Sequence, residues 1–274
     1  MIRFPAAFPP PVTRPLVLVA HGSRDPRAAR ANAALAAAVR RARPGLRVEM
    51  SFLDHTGPRP AEVLLALEAA GARSATMVPL LLTSAYHGRV DIPAALMAAR
   101  DTGLRIPVAV ADVLGPVDGV TAPLLLAALR RRLESADRSA RVWSDSRAPA
   151  PLDGVVLAAA GTRDETARAT VEAVAVELST VLGGVACHVA YASASTPTGT
   201  EAVCALRDGG ARRIGVASYF LAPGLLHENV VTAARFAGAE VVAEPLGGAS
   251  ELARLVLARA AAAREPVCNL AHAA

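Results

Sequence analysis

Short apolar runs alternate with longer amphipathic segments along the chain. In the first half, the apolar runs predict strands near residues 15–20, 47–53, 75–82 and 106–111. The segments between and after them predict helices near residues 26–43, 59–71, 91–101 and 121–135. Continuous apolar strands that alternate with helices are typical of a parallel sheet covered by helices on both faces. The pattern therefore predicts an α/β fold.

The second half repeats the first at a constant offset of 139 positions, which places Gly161-Thr162-Arg163-Asp164 on Gly22-Ser23-Arg24-Asp25. The same shift places Pro197 on Pro58 and Leu221 on Leu82. A constant offset across most of each half indicates an internal duplication. We therefore predict two tandem domains, each with a parallel four-stranded sheet flanked by helices, and a cleft between them.

The predicted boundaries follow from where the periodic pattern is interrupted. We expect a flexible N-terminal tail at 1–14, a first domain at 15–138, a linker at 139–153, a second domain at 154–265 and a tail at 266–274.

Composition narrows the class of protein. No apolar run approaches the ~20 residues that a membrane span needs, and the start of the chain does not resemble a secretion signal. The odd set of Cys187, Cys204 and Cys268 has no Cys-x-x-Cys spacing, which argues against a disulfide framework or a thiolate zinc site. We expect a soluble, cytoplasmic protein with no membrane partner.

All 29 cationic side chains are arginine. The absence of lysine excludes a Schiff-base lysine and a P-loop lysine. Arginine clamps carboxylates and phosphates, although biased amino-acid usage is the preferred explanation for most of these residues. Aromatic residues make up only 3% of the chain and do not interleave with a basic run, so we expect no nucleic-acid partner.

Three polar residues of the first half follow predicted strands: His21, Asp54 and His87. Parallel strands deliver such residues to one edge of the sheet, where ligands bind. Two imidazoles and a carboxylate suit a divalent ion such as Fe²⁺, Co²⁺ or Ni²⁺, and the imidazoles could equally accept protons. Taken singly, each is better explained as a loop cap that is hydrogen-bonded to the backbone. The second half has Ala160 and Ser193 at the positions of His21 and Asp54, so the turn does not itself require the histidine.

Further candidates lie near the same edge. Arg24, Arg89 and Arg163 are candidates for binding an anionic substrate, with surface ion pairs as the alternative. Ser23 is a substrate-binding candidate or a helix cap, and His227 is a candidate on the opposite side of the cleft. His55, His188 and His272 are expected to be ordinary surface or packing residues.

The motifs His21-Gly22-Ser23-Arg24, Phe52-Leu53-Asp54 and His87-Gly88-Arg89-Val90-Asp91-Ile92-Pro93 together resemble the sirohydrochlorin chelatase family. These are ATP-independent class II chelatases, and the resemblance is to their long, two-domain form. It implies two duplicated chelatase-like domains, with His21 and His87 as metal ligands and proton acceptors. The assisting acidic position holds Asp54, which is one methylene shorter than the expected glutamate.

The activity implied by the resemblance is insertion of Fe²⁺, or else Co²⁺, into sirohydrochlorin, in sirohaem or cobalamin biosynthesis. The metal is then a substrate, and no permanently bound cofactor is expected. The duplication supplies in one chain what a homodimer would, so we expect a monomer. The alternative is a noncatalytic metal or tetrapyrrole carrier on the same fold. A histidine phosphatase is disfavoured because Ala20 precedes His21, and an α/β-hydrolase because no Gly-x-Ser-x-Gly elbow occurs.

Overall fold

The computed structural model describes residues 14–83, 90–142 and 150–263. Strands and helices alternate throughout these ranges. The elements of the first half are β1 (Leu16–Ala20), α1 (Pro26–Ala42), β2 (Val48–Phe52), α2 (Pro60–Ala69), β3 (Ala75–Pro79), α3 (Ile92–Asp101), β4 (Val108–Val110) and α4 (Pro123–Val142). Those of the second half are β5 (Gly154–Ala159), α5 (Glu165–Val181), β6 (Ala186–Tyr191), α6 (Gly199–Asp208), β7 (Ile214–Ser218), α7 (Leu225–Phe236), β8 (Val241–Val242) and α8 (Ser250–Ala262).

The strands form two parallel four-stranded sheets, in the orders β2-β1-β3-β4 and β6-β5-β7-β8. The two orders correspond strand for strand, and helices flank both sheets. The predicted fold class, a duplicated α/β protein with two parallel sheets, is confirmed. Among the described residues, no helix is both long enough and apolar enough to cross a bilayer.

Two elements differ in length from the prediction. β3 ends at Pro79 instead of near residue 82, because Leu80, Leu81 and Leu82 leave the sheet and line a cavity. Their apolar character therefore reflects contact with the cavity and not a longer strand. Helix α4 continues to Val142, beyond its predicted end near residue 135. The boundaries of the two tails and of the linker stay a prediction.

Each central strand is buried on both faces, as the continuous apolar runs predicted. Leu16 and Leu18 of β1 belong to a core cluster that continues into the second half, where Val155 and Leu157 of β5 contribute the matching face. The opposite face of β1 packs in a separate cluster with residues of α2 and α3. One hydrophobic core therefore lies between the two sheets and joins the halves, with an outer core on each side.

The last helix of each half packs against the other half. Helix α4 packs on β7, β8 and α5, whereas α8 packs on α1 and β3. The two exchanged helices also contact each other, where Arg131 Nε donates to Glu251 Oε1 at 2.8 Å. The halves are therefore interlocked by this exchange of helices.

Candidate functional site

A cavity of about 760 Å³ lies at the carboxyl ends of the central strands and has walls from both halves. Its lining follows β1, β3, β5 and β7, at Ala20–Arg24, Leu80–Thr83, Ala159–Thr162 and Tyr219–His227 respectively. This edge is where open α/β sheets bind ligands, and the volume is within the range of small-molecule sites. The structure thus places the candidate site in a cleft between the two sheets.

The turn after β1 presents His21 to the cavity. Gly22 has φ +98°, and a Cβ added there would lie 1.9 Å from the carbonyl oxygen of Asp54. The backbone N–H of Asp54 donates to the His21 carbonyl at 2.8 Å. Only glycine permits this close approach of two backbones. The exposed imidazole of His21 is therefore placed by contacts between its own turn and the turn after β2.

The second half builds the same turn without the histidine. Gly161 has φ +90°, and its added Cβ would lie 1.9 Å from the Ser193 carbonyl oxygen. Ala160 occupies the position of His21. The turn therefore forms without an imidazole. His21 is not needed for the backbone conformation that the two halves share.

Asp54 lies beside the cavity, and the described lining residues do not include it. Its Oδ1 accepts from the His55 backbone N–H at 2.7 Å, and its Oδ2 lies 3.6 Å from His55 Nε2. The backbone hydrogen bond from His55, supported by the charges of His55, Arg59 and His21, lowers the pKa of Asp54. The group is therefore a carboxylate at neutral pH. Its role in the chemistry stays a prediction.

His55 was expected to be an ordinary surface or packing residue, and the structure shows that it lies at the cavity. It lines the cavity, and its ring meets that of His21 edge-to-face, with centroids 6.1 Å apart and an interplanar angle of 89°. Its backbone has φ +60° and its repeat counterpart Ala194 has φ +59°. The His-to-Ala contrast that singled out His21 also applies at His55, so the repeat contained a signal for it. His188 is exposed on β6, as expected.

His227 lies in the first turn of α7 and lines the cavity from the second half. The Ser218 hydroxyl donates to the Ala243 carbonyl at 2.6 Å, so it must accept from His227 Nε2 at 3.0 Å. The Nδ1 atom is buried and has no hydrogen-bond partner among the described residues. Burial lowers the pKa of His227, and the ring of Phe220 packs against it edge-to-face. His227 is therefore a neutral imidazole with a fixed tautomer.

Of the other residues predicted to bind substrate, some line the cavity and some do not. Ser23 and Arg24 line the cavity, whereas Arg163 is exposed and is not among the described lining residues. The Ser23 hydroxyl accepts from the Asp25 N–H at 3.1 Å, and Asp25 itself caps α1. Ser23 is therefore not the N-cap of this helix.

His87, Arg89 and His272 lie outside the described residues. Within the described ranges, no group of three or more His, Cys, Asp or Glu side chains converges in a way that could hold a metal ion.

Two contacts join the walls of the cavity. The buried Tyr219 hydroxyl donates to the Leu82 carbonyl at 2.7 Å. At the start of α1, Arg27 Nη2 lies 2.5 Å from Glu228 Oε1 of α7 and 2.5 Å from Asp25 Oδ2. The first contact links the segments that follow β3 and β7, and the second links the two helices beside the cavity.

The fold and the cleft define the class of protein: a two-domain α/β protein, built by duplication, with a candidate ligand site between its halves. A model of the CbiX family matches residues 15–136 and 154–263, so the chain belongs to the CbiX family. The model matches once in each half, which confirms the predicted two-domain form.

Solved structures show the same fold. SirB from Bacillus subtilis with Fe³⁺ is 20% identical, with 90% of this chain and 94% of that chain covered and a TM-score of 0.72. The sirohydrochlorin chelatase SirB from Bacillus subtilis subspecies spizizenii, in complex with cobalt, is 20% identical, with 91% and 94% covered and a TM-score of 0.69. No curated protein matches the sequence.

Proposed function

We propose that the protein inserts a divalent metal ion into sirohydrochlorin, with Fe²⁺ as the first candidate and Co²⁺ as the second. The observation that carries the proposal is the exposed imidazole of His21 in a largely apolar cavity between two sheets. Family membership and the iron and cobalt in the two SirB structures support the same activity. The reaction would serve sirohaem or cobalamin biosynthesis in the cytoplasm.

Metallation makes two chemical demands on such a site. The incoming ion must exchange its waters for weak protein ligands that later release it, and the macrocycle must lose its two pyrrolic protons. A neutral imidazole can serve as a metal ligand or as a proton acceptor. We assign these roles to His21 and to His87, with Asp54 assisting as a carboxylate. The metal ion is a substrate in this scheme, and ATP is not required.

The apolar lining suits the face of a macrocycle. Leu225 and Leu226 at the start of α7 line the cavity, although 73% and 40% of their surfaces are exposed. Neighbouring exposed leucines at a cavity mark a surface that binds an apolar ligand. The neutral His227 and the ring of Phe220 continue this surface. We assign substrate contact to it.

The carboxylates of sirohydrochlorin require cationic or hydrogen-bonding partners at the rim. Arg24 and Ser23 are on the cavity, and we assign carboxylate binding to them together with Arg89 and Arg163. Guanidinium groups bind carboxylates through paired hydrogen bonds, which suits this role.

The test is anaerobic absorbance spectroscopy of sirohydrochlorin with Fe²⁺ and, separately, with Co²⁺, with and without the protein. We expect acceleration of at least one reaction, and a loss of about 100-fold or more in the His21→Ala variant because a ligand and proton acceptor is removed. His188→Ala, an exposed change on β6, is the matched control. Binding of sirohydrochlorin without acceleration would identify a carrier instead. Full activity of His21→Ala would refute the site assignment.

A further inference from the structure

We propose that His55 is a second imidazole ligand for the incoming metal ion, beside His21, and that Asp54 acts by orienting His55. The inference rests on the proposed function in one respect, namely that the bound ion is the metal that the protein inserts into sirohydrochlorin. It assigns a role to a residue that the sequence motifs did not single out, and it makes Asp54, the assisting carboxylate, a positioning residue.

The separation of the two rings fits a shared ion. An imidazole nitrogen binds a first-row divalent ion at about 2.1 Å, so two rings on one ion have centres at most roughly 6.5 Å apart. The centroids of His21 and His55 are 6.1 Å apart, and both residues line the same cavity. The centroid distance is therefore within reach of one shared ion, and because the rings now meet edge-to-face, sharing it requires at least one of them to rotate.

The repeat separates the scaffold from the chemistry. The left-handed backbone at His55 recurs at Ala194, with φ +60° and +59°, so the conformation belongs to the shared turn. Likewise the turn of His21 recurs at Ala160. In each case the first half carries histidine where the second half carries alanine. The two positions with this difference, His21 and His55, lie side by side in the cavity although they are far apart in sequence.

Asp54 is placed to orient the ring of His55. One carboxylate oxygen accepts from the His55 backbone at 2.7 Å, and the other lies 3.6 Å from His55 Nε2. A carboxylate that accepts from one ring nitrogen favours a proton there and leaves the lone pair of the other nitrogen for a metal ion. The 3.6 Å separation exceeds a hydrogen bond, so a rotation of the His55 ring is needed to close it. Nδ1 of His55 is then the ligating atom. The short side chain of Asp54 therefore acts on the metal through the neighbouring imidazole.

The experiment measures Co²⁺ binding to the full-length protein in the absence of tetrapyrrole. We expect His55→Ala to weaken the affinity about 10-fold or more, and Asp54→Asn to weaken it to a smaller extent. X-ray absorption at the cobalt edge should show one imidazole fewer in His55→Ala than in the wild type, which a purely structural role of His55 would not produce. His188→Ala should leave both measurements unchanged.

His55→Asn provides a second variant, because asparagine tolerates the left-handed backbone better than most residues. An unchanged affinity and imidazole count in both His55 variants would overturn the inference, as would a wild-type protein that binds no Co²⁺ without tetrapyrrole. Failure of the proposed function is a separate result: the wild type would bind Co²⁺ through both histidines but would not accelerate metallation of sirohydrochlorin.

Discussion

Gly22 determines where the imidazole of His21 stands, although glycine itself has no chemistry to contribute. Its positive φ and the contact with the Asp54 carbonyl leave no room for a side chain. The same contact holds the turn that carries Asp54 and His55 against the turn that carries His21. One residue without a side chain therefore sets the relative position of all three candidate groups.

Gly22→Ala should damage stability and activity together. The left-handed backbone alone costs about 1–3 kcal/mol for a residue with a side chain, and the clash with the Asp54 carbonyl adds to it. Gly161→Ala is the matched control, because its clash with the Ser193 carbonyl is at the same distance, 1.9 Å. We expect similar losses in the free energy of unfolding by chemical denaturation. The metallation rate per folded molecule should fall much further in Gly22→Ala, and equal falls in the two variants would contradict this.

His21 could be predicted from the sequence because it directly follows an apolar strand and its repeat counterpart is alanine. His55 could not be placed from its neighbours, since nothing local to Leu53-Asp54-His55 shows that the backbone turns left-handed and directs the ring into the cavity. For His227, the sequence indicated a position on the opposite side of the cleft, and the residue lines the cavity there. The neutral tautomer depends on Ser218 and Ala243, which only the fold brings to it.

At the scale of elements, helix α4 is attached to the second half by an ion pair that is mostly buried. Asp137 of α4 lies 2.6 Å from Arg213 at the start of β7, with side-chain exposures of 17% and 8%. Burial acts to raise the pKa of Asp137, but the ion pairs with Arg213 and Arg141 outweigh it and lower the pKa below its usual value. The pair is therefore charged at neutral pH, and the stability it contributes is lost as the pH falls through that lowered pKa.

Asp137→Asn should reduce the free energy of unfolding by about 3 kcal/mol, because it leaves the Arg213 guanidinium buried without its main counter-charge. Glu134→Gln on the same helix is the control. It removes the exposed pair with Arg130, and we expect a change below about 0.5 kcal/mol. Urea denaturation at neutral pH measures both. Similar effects of the two substitutions would show that the buried pair does not anchor α4.

The helical pattern of α4 was readable from the sequence, but its partner was not. An amphipathic helix shows which of its faces is apolar, and this does not specify which of two similar sheets that face covers. Leu125, Leu129 and Leu133 fit the core of either half by composition. The exchange of α4 and α8 is therefore a property of the assembled protein that the repeat pattern could not indicate.

At the scale of the whole molecule, the two halves share one core, so we expect them to fold together. Residues 1–149 expressed alone would expose the apolar face of α4 and would lack α8 on α1 and β3. We predict that neither this fragment nor residues 150–274 is a folded monomer, and that co-expression restores a complex. Sedimentation and circular dichroism test this. A monomeric first fragment with its own cooperative thermal transition would contradict the prediction.

The continuous core between the sheets also has a consequence for how a guest molecule is chosen. Separating the walls of the cleft would break the Tyr219 and Arg27 contacts and expose core leucines to water, at a cost of about 25 cal/mol per Å² of apolar surface. We therefore expect the width of the cleft to change little when a ligand binds. We also expect the cleft to select a flat ligand by its thickness as well as by its substituents.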